Sequence, residues 1–167
     1  AKESIAGSLS KLVEKGRVKQ KDADATLGRI EIVGELKALA TCHLVVEAII
    51  EVLEVKRKFF AELEAIVSDE CIIASNTSSL SVTAMAAGLK KPGRVAGYHF
   101  FNPVPVMKIV EVVGGVMTAP WVTEALTELA KRYGHTPVSC QDTPGFLVNH
   151  AGRGFVPESL RSYTQGI

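Results

Sequence analysis

The sequence predicts an α/β domain built on a largely parallel sheet. Short apolar runs of strand length alternate along the chain with stretches whose apolar residues recur at helical spacing. Polar segments follow three of those runs, at Glu47–Glu51, Ser75–Ser79 and His99–Asn102. In open parallel sheets, ligands bind outside the carboxyl ends of the strands. These three segments, far apart in sequence, are therefore expected to converge on one crevice.

The elements follow in order. Ile5, Leu9, Leu12 and Val13 share a helical face, and Gly16 is a plausible stop. Gln20 to Gly28 reads as a second short helix, and Arg29 to Val33 alternates like a short strand. Leu44 to Ala48 (LVVEA) is a buried-strand candidate, followed by a helical stripe of Val52, Val55, Phe59, Leu63 and Ile66. Cys71 to Ala74 is a strand that ends in the polar turn Ser75–Ser79, after which a short helix is expected. Arg94 to Tyr98 is a strand, His99 to Met107 a loop containing Pro103 and Pro105, and Lys108 to Val113 a strand. Thr118 and Pro120 mark a helix start; Val122, Leu126 and Leu129 form its inner face, and Gly134 ends it. Thr136 to Ser139 is a last strand, and Asp142-Thr143-Pro144 opens a final helix.

Composition narrows the function classes. Nineteen basic and 18 acidic residues leave a net charge of +1, with no charged tail that would address nucleic acid or a membrane surface. No apolar run reaches the ~18 residues of a membrane span, and no secretory signal precedes the first helix, so the cytoplasm is the expected location. Cys42, Cys71 and Cys140 are too scattered for a disulfide framework and read as small core residues. No CxxC or HxH spacing points to a metal.

Several residues could carry chemistry, each with a plainer alternative. His99 follows an apolar strand; it is either a general base for an alcohol or a hydrogen-bonded structural histidine. Glu111 interrupts the apolar run KIVEVV, so it either faces water on an edge or is buried and needs a partner. If it faces His99, it fixes the tautomer and raises the basicity of the imidazole. Asn76 and Ser78 lie in a turn that opens a helix, either as caps or as polar contacts to a bound ligand. Asn149, placed about one turn into the last helix, either makes a specific polar contact or bonds the backbone. Glu51 and Lys56 flank the LVVEAII run; they are solvated charges, or Glu51 accepts from a ribose and Lys56 faces a cofactor. Ser8 and Lys15, seven apart on the first helix, form a solvated face or a ligand contact.

Four runs, VVEAIIEVLEVKRKFF, ASNTSSL, HFFNPVPVMKIVEVV and HTPVSCQDTPGFLVN, in this order, resemble the NAD-binding domain of the L-3-hydroxyacyl-CoA dehydrogenases, the fatty-acid β-oxidation enzymes. The resemblance covers essentially the whole chain. It implies a Rossmann-like, doubly wound fold and reversible oxidation of the 3-hydroxyl of an acyl-CoA with NAD. His99 resembles the family's catalytic base and Glu111 the partner that orients it. Ser78 resembles the hydroxyl that contacts substrate and nicotinamide, and Asn149 the amide that binds the reacting substrate. Ala48, Glu51, Lys56, Asn76 and Asn102 match positions that contact NAD, and Ser8 and Lys15 positions that contact coenzyme A.

The same resemblance implies more at both ends. The family's first βαβ unit, with its Gly-x-Gly-x-x-Gly turn, is expected ahead of Ala1. Residues 1–143 then form a partial NAD-binding domain, and residues 144–167 begin the helical domain that closes over substrate and builds a homodimer. The chain is accordingly expected to be an excerpt, truncated and inactive alone. The NHAGRGF run after Asn149 is similar to larger bacterial members acting on 3-hydroxybutyryl-CoA or 3-hydroxyadipyl-CoA. Competing readings are a crystallin-like or pseudoenzyme relative, and another hydroxyacid dehydrogenase that uses a lysine in place of the His–Glu pair.

Overall fold

From Leu44 onward the alternation of strand and helix is realised in the folded chain. The computed structural model describes residues 2–167. Two compact units are present, one ending at Ala38 and the other running from Leu39 to Ile167.

The first unit holds α1 (Lys2–Glu14) and α2 (Gln20–Gly28). Gly16 takes a φ of 67° and its amide bonds the Val13 carbonyl at 2.8 Å, closing α1 as a left-handed cap should. The strand expected over Arg29–Val33 does not form. The amides of Arg29 and Ile30 turn back onto the carbonyls of Thr26 and Leu27, and Ile32 and Val33 stay exposed, with no ladder to join among the described residues. Five alternating residues are not a strand without a neighbour to pair with.

The second unit is a five-stranded sheet: β1 (Leu44–Glu47), β2 (Ile72–Ser75), β3 (Val95–Phe100), β4 (Ile109–Gly114) and β5 (Thr136–Gln141), in that spatial order. All neighbours are parallel except β3 and β4. Helices α3 (Leu53–Glu64), α4 (Val82–Ala86), α5 (Pro120–Arg132) and α6 (Val148–Thr164) complete it.

Strand alternation splits the core in two. Ile73, Val95 and Val113 face Phe60 and Leu63 of α3 and Val82 and Met85 of α4. Ile72, Ala74, Ala96, Tyr98, Val110 and Val112 face Val122, Leu126 and Ala130 of α5. The sheet is thus covered on both sides, as a largely parallel sheet requires. Gly97 lies where β3 and β4 approach: a Cβ there would sit 2.8 Å from the Val113 Cβ.

Three local expectations shift. The buried face of α3 is Lys56, Phe60 and Leu63 rather than the stripe through Val55 and Phe59, and Val55 is exposed. The helix is rotated because Lys56 has a buried carboxylate to meet. His99 belongs to β3, not to the loop after it. α6 starts at Val148 rather than at Asp142–Pro144, because Gly145 (φ 79°) and Phe146 (φ 49°) are both left-handed and cannot continue a helix. Asn149 therefore sits at the very start of α6 rather than about one turn into it. Asp142 caps a different helix: its carboxylate accepts from the Ser81 hydroxyl and from the amides of Val82 and Thr83, at 2.7–2.9 Å.

Candidate active site

Antiparallel pairing builds the centre of the site. β3 and β4 are in register with His99 directly opposite Glu111, so both side chains leave the same face of the sheet. His99 Nδ1 and Glu111 Oε2 are 2.7 Å apart, and both residues are buried. The carboxylate makes Nδ1 the protonated nitrogen, which leaves Nε2 with a lone pair for the cleft. Aromatic rings flank the imidazole: Phe101 at 4.5 Å and Phe146 at 5.8 Å between centroids.

No oxygen of Glu111 is idle. Oε1 accepts from the amides of Leu147 at 2.9 Å and Val148 at 2.8 Å, and Cys140 Sγ lies 3.7 Å away. A carboxylate with no solvent exposure is tolerable only with such a set of donors. Burial, then the charge of Glu111, pushes the Cys140 thiol up to about 11, so it stays neutral beside the carboxylate.

A cleft of about 560 Å³ opens in front of His99, lined by Val46, Ala48, Asn76, Ser78, His99, Phe100, Phe101, Asn102, Val104 and Asn149. Six residues singled out in the sequence thus share one wall, with Glu111 directly behind. Ala48, Asn76 and Ser78, and Phe101 and Asn102, lie just past the carboxyl ends of β1, β2 and β3, where parallel sheets bind ligands. Asn76 Oδ1 accepts from the Phe100 amide at 2.9 Å, which fixes its orientation and leaves its NH₂ group as the donor available to a ligand. Asn149 Nδ2 reaches the Ser78 carbonyl at 3.4 Å, so the start of α6 meets the Ser75–Ser79 loop.

Lys56 departs from its expected place. It is 1% exposed, and its ammonium is taken up by Glu47 at 2.7 Å and Glu51 at 3.1 Å. It therefore reaches any bound molecule only through Glu51. Glu51, whose side chain is 42% exposed, also accepts from the Thr77 hydroxyl and, at 3.3 Å, from the Ser78 amide. Partial burial would raise its carboxyl, but the donors Thr77, Lys56 and Ser78 together hold it below the usual range. Ser8, in α1, bonds the Ser4 carbonyl at 3.0 Å; Lys15 follows α1, and both are exposed in the first unit.

Residues outside the sequence reading also matter. Glu47 is buried and accepts from Lys56, from the Ser75 hydroxyl at 2.7 Å and from the Ile49 amide at 2.6 Å. Its signal was available, since it interrupts the apolar run LVVEA as Glu111 interrupts KIVEVV. Phe146 and Cys140 gave no comparable signal. No group of three or more potential metal ligands occurs among the described residues, and none of their helices is long and apolar enough to cross a membrane.

Comparison with known proteins adds a family match. The family described as 3-hydroxyacyl-CoA dehydrogenase, NAD binding domain, matches residues 1–143. The chain is 44% identical over 165 residues to the 3-hydroxyadipyl-CoA dehydrogenase of Escherichia coli K12, covering 99% of this chain and 35% of that protein. It is 43% identical over 164 residues to a probable 3-hydroxybutyryl-CoA dehydrogenase of Deinococcus radiodurans, covering 98% of this chain and 58% of the relative. Among solved structures, a 3-hydroxybutyryl-CoA dehydrogenase from Escherichia coli superposes with a TM-score of 0.95 at 44% identity, over 98% of this chain and 35% of that one. The chain thus spans between about a third and somewhat over half the length of these relatives.

Proposed function

The chain belongs to the 3-hydroxyacyl-CoA dehydrogenase family through its NAD-binding domain, and on that premise we propose that the protein containing it interconverts an L-3-hydroxyacyl-CoA and its 3-oxoacyl-CoA with NAD. The observation that carries this reading is the 2.7 Å His99–Glu111 pair at the wall of the cleft. The cleft is of a size to take a small ligand: its volume of about 560 Å³ falls in the range of ligand sites, and it is lined by Val46 and Ala48 on the β1 side.

Bound NAD supplies the hydride acceptor. His99 Nε2 takes the proton of the 3-hydroxyl, and Glu111 holds the imidazole in the tautomer that can do so and stabilises the imidazolium that forms. Ser78 and Asn149 bond the reacting oxygen and hold it in line with Nε2, and that alignment lowers the barrier. Asn76, Asn102 and Ala48 would contact the bound cofactor. Glu51 accepts from a ribose, and Lys56 contributes by holding Glu51. Ser8 and Lys15 are assigned to the coenzyme A moiety on the resemblance alone.

Residues 1–143 are the NAD-binding part and 144–167 the start of a helical substrate and dimerisation domain. The protein acts in cytoplasmic fatty-acid β-oxidation or related acyl-CoA metabolism, as a homodimer. The test is NADH oxidation by the intact protein with acetoacetyl-CoA and with longer and dicarboxylic 3-oxoacyl-CoA esters. Turnover on at least one is expected; none above background on any chain length would remove the reading.

A further inference from the structure

Phe146 has a feature that the proposed chemistry does not use. It is the one residue other than glycine with a left-handed backbone among the described residues, at φ 49°, and it is 3% exposed. Glycine enters that region freely, and short polar side chains are compensated there by local hydrogen bonds; phenylalanine has neither advantage. Such a conformation persists only where its surroundings over-determine it.

The backbone around it shows what it achieves. Leu147 returns to right-handed values, φ −91° and ψ −54°. Adjacent residues of opposite hand in a turn aim successive amide N–H groups into one concavity, which binds an anion. Here the anion is internal: the amides of Leu147 and Val148 close on Glu111 Oε1 at 2.9 and 2.8 Å, while Oε2 holds His99 Nδ1 at 2.7 Å. The Phe146 ring meanwhile packs on the imidazole itself. One residue therefore contacts the histidine with its side chain and shapes the cradle of its partner with its backbone.

We propose that Phe146 is a positioning residue for the hydroxyacyl dehydrogenase reaction. Its left-handed backbone builds the amide nest that fixes Glu111 and, through Glu111, the tautomer and direction of His99. This rests on the function assigned above.

Backbone and packing roles rank substitutions in opposite orders, which makes them separable. If Phe146 only fills space, kcat follows apolar volume, with Phe146→Val above Phe146→Gly. If the nest matters, the order inverts, because glycine takes the left-handed turn freely and β-branched valine does not. In the intact protein, assayed with acetoacetyl-CoA and NADH, Phe146→Gly is expected to stay within ~10-fold of the natural kcat. Phe146→Val is expected to lose roughly 10²-fold, the scale of a misplaced general base. The KM for NADH should not move in either. Adding Phe146→Val to Glu111→Gln should cost little more, since the residues act as one unit. Should the valine variant not fold, Phe146→Asn, tolerant of the left-handed region, is expected to exceed Phe146→Ala. The His99 Nδ1 proton resonance supplies a readout independent of turnover: it should persist in the glycine and asparagine variants and be displaced or lost in valine. A kcat order that follows volume, or a valine effect undiminished without Glu111, overturns the proposal. If the natural protein turns over no 3-oxoacyl-CoA, the functional reading fails instead, and the nest stands or falls on the proton resonance.

Discussion

Replacing Glu111 by glutamine tests the core of the site because glutamine keeps the shape and loses half the accepting capacity. The carboxylate receives three N–H donors: His99 Nδ1 at 2.7 Å, and the Leu147 and Val148 amides at 2.9 and 2.8 Å. A glutamine side chain has one oxygen and one NH₂ group, and the NH₂ must face one side of this arrangement. If it faces the two amides, donor meets donor and the start of α6 is pushed away. If it faces His99, Nδ1 must become the acceptor, which puts the proton on Nε2 and removes the base from the cleft. The tautomer failure alone corresponds to roughly 10⁴-fold in kcat where it is complete, and partial misplacement to 10²–10³-fold. Converting two charge-assisted bonds to neutral or broken ones removes about 2 kcal/mol of stability. The assay is steady-state oxidation of NADH with acetoacetyl-CoA by the intact protein, with urea denaturation alongside. A kcat within about threefold of the natural protein would refute the dyad, as would full additivity between Glu111→Gln and His99→Gln, since a base and its orienting partner act as a unit.

Other perturbations test the supports of the cleft. Lys56→Met leaves Glu47 buried without its cation and should destabilise by about 3–5 kcal/mol; adding Glu47→Gln should recover part of that, and a single-mutant loss under about 1 kcal/mol in denaturant titration would contradict the buried pair. At Asp142, burial would raise the carboxyl, but the donors of Thr83, Ser81 and Val82 hold it below the usual range. Its contribution is therefore full above the unfolded pKa of about 4 and lost as pH falls through the lower folded value. Asp142→Asn should cost about 1 kcal/mol near neutral pH and flatten the acid limb of a stability–pH curve; an unchanged limb would show that the cap contributes nothing. Half-buried Cys140, its thiol pushed up to about 11, should resist alkylation by iodoacetamide at pH 8, followed by mass spectrometry of the folded protein; rapid labelling there would contradict a thiol held neutral beside Glu111.

Much of this arrangement was legible because the signals were local or periodic. Short apolar runs located all five strands of the sheet to within one or two residues, and polar segments after three of them marked the cleft. Glu111 stands out as a polar interruption of an apolar run and His99 as the polar residue that follows one, and pairing by antiparallel register brings them together. The failures share a cause. The stripe through Val55 placed α3 one position out because periodicity counts Lys56 as polar and outward, whereas a buried carboxylate draws it in. Arg29–Val33 has the alternation of a strand but no neighbour to pair with among the described residues. The start of α6 was misread because Asp142-Thr143-Pro144 has the composition of a helix start, while its aspartate serves a helix 59–61 residues earlier.

Glu47 and Glu111 show where sequence reasoning stops. Each is a lone acid in an apolar strand, and burial obliges each to find donors. That much follows from the residue type and its setting. Which donors it finds does not. Glu47 is met by Lys56 from α3 and Ser75 from β2, which ties the end of β1 to the loop that carries Asn76 and Ser78. Glu111 is met by His99 from the next strand and by amides 36 and 37 residues further on. Both carboxylates therefore join segments distant in sequence, and those segments carry Asn76, Ser78, His99 and Asn149 on the wall of the cleft. A fully occupied buried carboxylate fixes its donors more rigidly than apolar packing, because losing any one of them strands charge in a low-dielectric interior. The two acids are thus the points at which the geometry of the site is set, and substitutions at either should alter the cleft further from the mutated atom than changes in the surrounding apolar core.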